Sequence, residues 1–70
     1  MKEIVSSMAG TVFNILVSSG DEVAEGQTIL ILESMKMEIP VESTSAGKVS
    51  ELKVAIGDFV NEGDVLATLE

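Results

Sequence analysis

The chain has no cysteine, histidine, tryptophan, tyrosine or arginine among its 70 residues. Without cysteine, neither a disulfide nor a thiolate-bound metal can reinforce the core. Without histidine, cysteine or tyrosine, the usual general bases, soft metal ligands and activated nucleophiles are missing as well. Two carboxylates could still do chemistry, but they need a cleft, and a chain this small seldom has room for one. The chain is therefore read as no enzyme by itself.

Positive charge is also scarce. Twelve acidic residues face four lysines, for a net charge of −8. Such a surface repels phosphate backbones and anionic lipid, which argues against nucleic acid or a membrane as partner. Long apolar runs are missing too: Ile29 to Leu32 is strand-sized, and the N-terminal "MKEIVSS" lacks the apolar stretch of a secretory signal. The expected location is cytoplasmic, or the side on which a parent enzyme resides.

What is present is Val, Ile and Leu, in an order that repeats. "MAGTVFNILVSSGDEVAEGQTILILE" from Met8 aligns without a gap on "SAGKVSELKVAIGDFVNEGDVLATLE" from Ser45, at a constant offset of 37 residues. Ala9, Gly10, Val12, Val17, Gly20, Asp21, Val23, Glu25, Gly26, Leu32 and Glu33 recur as Ala46, Gly47, Val49, Val54, Gly57, Asp58, Val60, Glu62, Gly63, Leu69 and Glu70. The reading is one domain, residues 1–70, with an internal repeat of 6–33 and 43–70.

Each half reads as strand, turn, short strand, turn, strand, with "TVFNILV" and "KVSELKV" as the first strands. No segment reads as a helix, and Pro40 belongs at a sheet edge or bulge, where its missing N–H does no harm. The expected fold is all-β: a flattened barrel or sandwich of two pseudo-two-fold-related four-stranded halves. Asp58, Glu62 and Asp64 cluster like a calcium loop, but the Asp-x-Asp-x-Asp-Gly spacing is missing and turn chemistry explains them.

"ILILESMKMEIPV", Ile29 to Val41, sets Lys36 between two methionines, with strand-like sequence on both sides. Hairpin turns favour Asn, Asp, Gly or Pro, and "SMKM" has none of them. The offset makes Ser34 to Met37 the counterpart of the chain ends, with Glu38 matching Met1 and Glu33 matching Glu70. Two-fold-related halves would then carry Lys36 at one end and both termini at the other. Exposed methionines beside a charged tip cost solubility, and their soft, adaptable side chains suit contact with more than one partner surface.

These residues resemble the biotinyl carrier domains of the biotinyl/lipoyl attachment family, closest to biotin carboxyl carrier domains, over nearly all of the chain. "ESMKME" is similar to the attachment motif Glu-Ala-Met-Lys-Met, and "GTV" at Gly10, "GDEVAEGQ" at Gly20, "GKV" at Gly47 and "GDFVNEGD" at Gly57 look like the same family. The resemblance implies a barrel-sandwich hybrid with the modified lysine on a hairpin tip. Lys36 would take covalent biotin, and Glu33, Ser34, Met35, Met37 and Glu38 would complete the motif. A biotin protein ligase would attach the biotin through a biotinyl-adenylate. The carrier would then move carboxyl groups between a biotin carboxylase and a carboxyltransferase.

Lys36 stands about as far from the C-terminus as the family's lysine, which implies a complete C-terminal end. Ser34 replaces the usual alanine, Ser7 and Ala9 stand in for a Pro-Met-Pro-Gly element, and Thr44 stands where many members have proline. The last two changes affect turns far in sequence from the lysine and bear on partner choice more than on modification. Lipoyl domains share the fold and are the alternative, with lipoate as cofactor, but they resemble Asp-Lys-Ala at the tip. Unmodified interaction modules, as in efflux adaptors, generally need no lysine motif.

Overall fold

In the computed structural model, residues 2–70 are described, and Met1, the matched partner of Glu38, lies outside them. Eight strands follow one another: β1 (Lys2–Val5), β2 (Gly10–Ile15), β3 (Glu22–Val23), β4 (Thr28–Ser34), β5 (Met37–Glu42), β6 (Gly47–Leu52), β7 (Phe59–Val60) and β8 (Val65–Leu69). There is no helix among the described residues, and so none long and apolar enough to cross a membrane.

The strands form two antiparallel sheets, ordered β1-β8-β6-β3 and β5-β4-β2-β7. Adding 37 residues carries β2, β3 and β4 onto β6, β7 and β8, and the order of one sheet onto that of the other. Three details differ from the sequence expectation. The sheets do not close into a barrel, so β1, β3, β5 and β7 remain as edges. Nor is either sheet one half of the sequence, because the two-residue strands β3 and β7 each cross to the other half's sheet. β6 also ends at Leu52, one residue short of Lys53. Pro40 lies on the edge strand β5, where no further strand asks for its N–H.

The crossing is held by reciprocal bonds. Gly20 N–H donates to Val49 O and Gly57 N–H to Val12 O, each at 2.8 Å. Both glycines have φ near +95°, a conformation open to Gly at little cost, so the chain can fold back over the opposite sheet there. Asp58 Oδ2 accepts the Ala55 N–H at 2.9 Å and Asp64 Oδ2 the Asn61 N–H at 2.8 Å, so these carboxylates serve the turns. Among the described residues, no three acidic side chains converge in a way that could hold a metal.

Between the sheets, Ile4, Val12, Ile29, Leu30, Leu32, Val49, Leu66 and Leu69 are almost wholly removed from water. Each buried side chain of this size contributes about 1.5–3 kcal/mol. Ser6 and Ser43 are buried too, and their hydroxyls donate to the carbonyls of Met8 and Ser45. The molecule is elongated, 32 × 17 × 17 Å. Thr11 pairs with Glu33 on one side and Phe59 on the other, which places β7 at the β4–β5 end. β3 pairs with Gly47 and Lys48, and Lys48 bonds Glu70, which places β3 beside the C-terminus. β4 runs between these two ends, a span of about 23 Å for seven residues. Lys2 pairs with Leu69, so β1 starts, and β8 ends, opposite the hairpin.

Candidate functional site

β4 and β5 are paired from Thr28–Glu42 up to Glu33–Glu38 and Ser34–Met37, which leaves only Met35 and Lys36 to turn the chain. A two-residue hairpin loop that follows the right-handed strand twist needs positive φ at both positions. Met35 has φ 53° and Lys36 φ 65°, and they are the only non-glycine residues of that kind among the described residues. Asn-Gly would adopt this turn readily, whereas a Cβ in the left-handed region costs about 1–2 kcal/mol per residue. The missing turn residues are thus explained: the hairpin holds its turn in spite of Met35 and Lys36, supported by the six register pairs of β4 and β5.

The turn points its side chains into water. Met35 is 89% exposed and Met37 59% exposed, and Lys36 is exposed between them. No ion pair or side-chain hydrogen bond ties the Lys36 ammonium to a described residue. Lys53, in contrast, bonds Glu51 at 2.9 Å, while Lys48 lies within β6 and Lys2 beside the C-terminus. Lys36 is therefore set apart from the other three lysines by position, not by charge alone.

Just below the tip, Glu33 and Glu38 face each other across the strands, both exposed. Like charges directly opposite each other oppose pairing, so packing beneath them must hold the hairpin. Ser34 is half-buried opposite Met37. The five motif residues and Lys36 thus lie in one stretch of hairpin.

Gly10 is a contributor that the motif does not show. A Cβ at Gly10 would stand 3.1 Å from the Glu33 carbonyl oxygen, so glycine lets β2 lie tight against the hairpin just below its tip. Its counterpart Gly47 stands closer still to the Glu70 carbonyl oxygen, at 2.8 Å. The recurrence of glycine at these two positions was the signal available in the sequence. Among the described residues there is no pocket. The candidate site is a protrusion, suited to be taken up by another molecule's cleft.

A small sandwich that holds out one unpaired lysine on a strained turn is built like a domain that presents an attached group. The family model for biotin-requiring enzymes matches residues 2–69, and the chain belongs to that biotin/lipoyl attachment family. It is similar to the methylmalonyl-CoA carboxyltransferase 1.3S subunit of Propionibacterium freudenreichii subsp. shermanii, 61% identical over 36 residues. Those residues cover 51% of this chain and 29% of that protein. It is also similar to the biotin/lipoyl attachment protein of Bacillus subtilis, 53% identical over 40 residues, covering 57% of this chain and 55% of that one. The matched stretch thus spans between about a quarter and just over half of these relatives' lengths. Among solved structures, the urea carboxylase of Kluyveromyces lactis superposes with a TM-score of 0.91 at 32% identity, over 99% of this chain and 6% of that one.

Proposed function

We propose that residues 1–70 act as one non-catalytic biotinyl carrier domain, modified on Lys36, that moves carboxyl groups between a biotin carboxylase and a carboxyltransferase. The observation that carries this reading is Lys36 at the second position of a two-residue turn, exposed and without a partner. Biotin needs a primary amine that an activated carboxyl group can reach from outside, and Lys36 offers one. Its Nζ would hold the group through an amide bond, with Met35 and Met37 on either side. When bound, biotin supplies the ring that carries the carboxyl group.

The chain's own part is presentation. The β4–β5 register fixes where Nζ leaves the domain, and the tip's distance from Lys2 and Glu70 leaves it free to enter another active site. Tethering a cofactor in this way raises its effective concentration at each partner, while the chemistry remains with cofactor and enzymes. Glu33, Ser34, Met35, Met37 and Glu38 would be the surface that a biotin protein ligase grips around the lysine. The proposed setting is the cytoplasm, with the ligase and the carboxylase enzymes as partners.

The lipoyl alternative has less support, because methionines flank Lys36 and the carboxyltransferase and carboxylase likenesses belong to carboxyl-transfer enzymes by name. Intact-mass analysis after incubation with biotin, ATP and a biotin protein ligase, and separately with lipoate and a lipoate ligase, tests the reading. A single biotinyl increment that vanishes in Lys36→Arg supports it. A lipoyl increment alone, or none, overturns it.

A further inference from the structure

The chain has only two aromatic residues, both phenylalanine, and neither is in the core. Phe13 is 47% exposed and Phe59 64%. Aromatic side chains carry a large apolar area, and a domain of this size has little core to spare. Ile56, 63% exposed, joins them. Gly57 N–H donates to Val12 O and Val12 N–H to Asp58 O, so the turn that carries Ile56 lies along β2 beside Phe13.

The internal repeat supplies a comparison within the same molecule. The positions matching Phe13, Ile56 and Phe59 are Ser50, Ser19 and Glu22. Ser19 Oγ donates to Ser50 O at 2.9 Å, so the first two of these positions lie against each other. The fold is therefore satisfied by two serines and a glutamate in this place. On the sheet that bears Lys36, three large apolar side chains stand there instead, and folding does not demand them. Exposed apolar clusters of this kind mark contact surfaces.

The patch is continuous with the lysine hairpin. Phe59, Thr11, Glu33 and Glu38 form one register row across β7, β2, β4 and β5. Strand spacing puts Phe59 about 10 Å from Glu33, the second residue before the turn. The two glutamates thus lie between the apolar patch and the tip.

We propose that Phe13, Ile56 and Phe59 form a docking patch for the biotin carboxylase that works on the group carried at Lys36, through an apolar enzyme surface rimmed by lysine or arginine. This rests on the carrier reading above. Such an enzyme consumes ATP and bicarbonate, both anions, and a site that gathers anions is electropositive at its mouth. Glu33 and Glu38 complement that charge at the edge of the patch. A ligase meets each carrier once, whereas the carboxylase meets it in every cycle. A small apolar contact guided by charge gives the fast, weak association that repeated visits require. A second copy of the chain is the poorer occupant, because each carries a net charge of −8 and the same acidic row.

The test replaces each residue by its own counterpart: Phe13→Ser, Ile56→Ser and Phe59→Glu, singly and together. Each protein is biotinylated, then assayed as substrate for the source organism's biotin carboxylase with ATP and bicarbonate. The triple variant should be labelled by the ligase at the parental rate and keep its kcat. Its KM should rise about tenfold or more, as for loss of central contact residues. An unchanged KM overturns the proposal, and so does a slowed ligase reaction with unchanged KM, which would give the patch to the ligase. If the triple variant melts early, Phe59→Glu alone, on an edge strand, decides by the same criterion. A parental chain that takes no biotin overturns the carrier reading itself, and this proposal with it, before any patch variant is compared.

Discussion

Met35 and Lys36 occupy left-handed backbone that Asn or Gly would adopt more cheaply. Met35→Asn should therefore raise stability by about 1 kcal/mol, read as a higher midpoint in urea, while transfer through the carboxylase enzymes falls because a contact side chain is gone. A lower midpoint would mean that Met35 packs against the domain. Met35→Ala with Met37→Ala should shift stability by only about 0.5 kcal/mol, since both side chains stand largely in water. A loss of several kcal/mol would make them core residues. At this scale the sequence drew attention to Lys36, because a lysine framed by methionines is chemically conspicuous. It was silent on the backbone, since positive φ at Met35 and Lys36 follows from the strand register, not from any preference of those residues.

The β4–β5 hairpin turns position into chemistry. Exchanging Lys36 with Met37 keeps composition and fold but moves the amine off the turn and onto β5, opposite Ser34. Covalent transfer tolerates little misplacement, so a ligase time course should show biotinylation largely abolished, with folding checked by circular dichroism. Equal rates would mean that the enzyme reads any accessible lysine. Gly10→Ala should disturb the hairpin just below its tip through the Glu33 carbonyl, and Gly47→Ala should cost more, because its contact is tighter. Thermal melting of the two variants checks the order. The strands themselves were legible, as alternating Val, Ile and Leu between glycine corners. Their exact ends and the motif's dependence on Gly10 were not, because close approach of two backbones leaves only a glycine as its trace.

Over the whole molecule, the offset of 37 residues foretold matched strands, and it set the lysine away from the chain ends. It could not foretell that β3 and β7 change sheets, because a two-residue strand has too few side chains to reveal its neighbours. Nor could it separate an open sandwich from a closed barrel, since both bury the same alternating faces. Leu32 and Leu69, matched by the offset, are both fully buried. Leu32→Ala should cost about 2–5 kcal/mol and loosen the strand that carries the site, seen as lower stability together with slower biotinylation.

If the hairpin turn is what the ligase reads, one lysine of four takes the biotin. Peptide mapping by mass spectrometry after exhaustive treatment with biotin protein ligase, biotin and ATP tests it most directly. Biotin is expected on the peptide containing Lys36 and on none of those containing Lys2, Lys48 or Lys53. Comparable biotin on any of those three would contradict it.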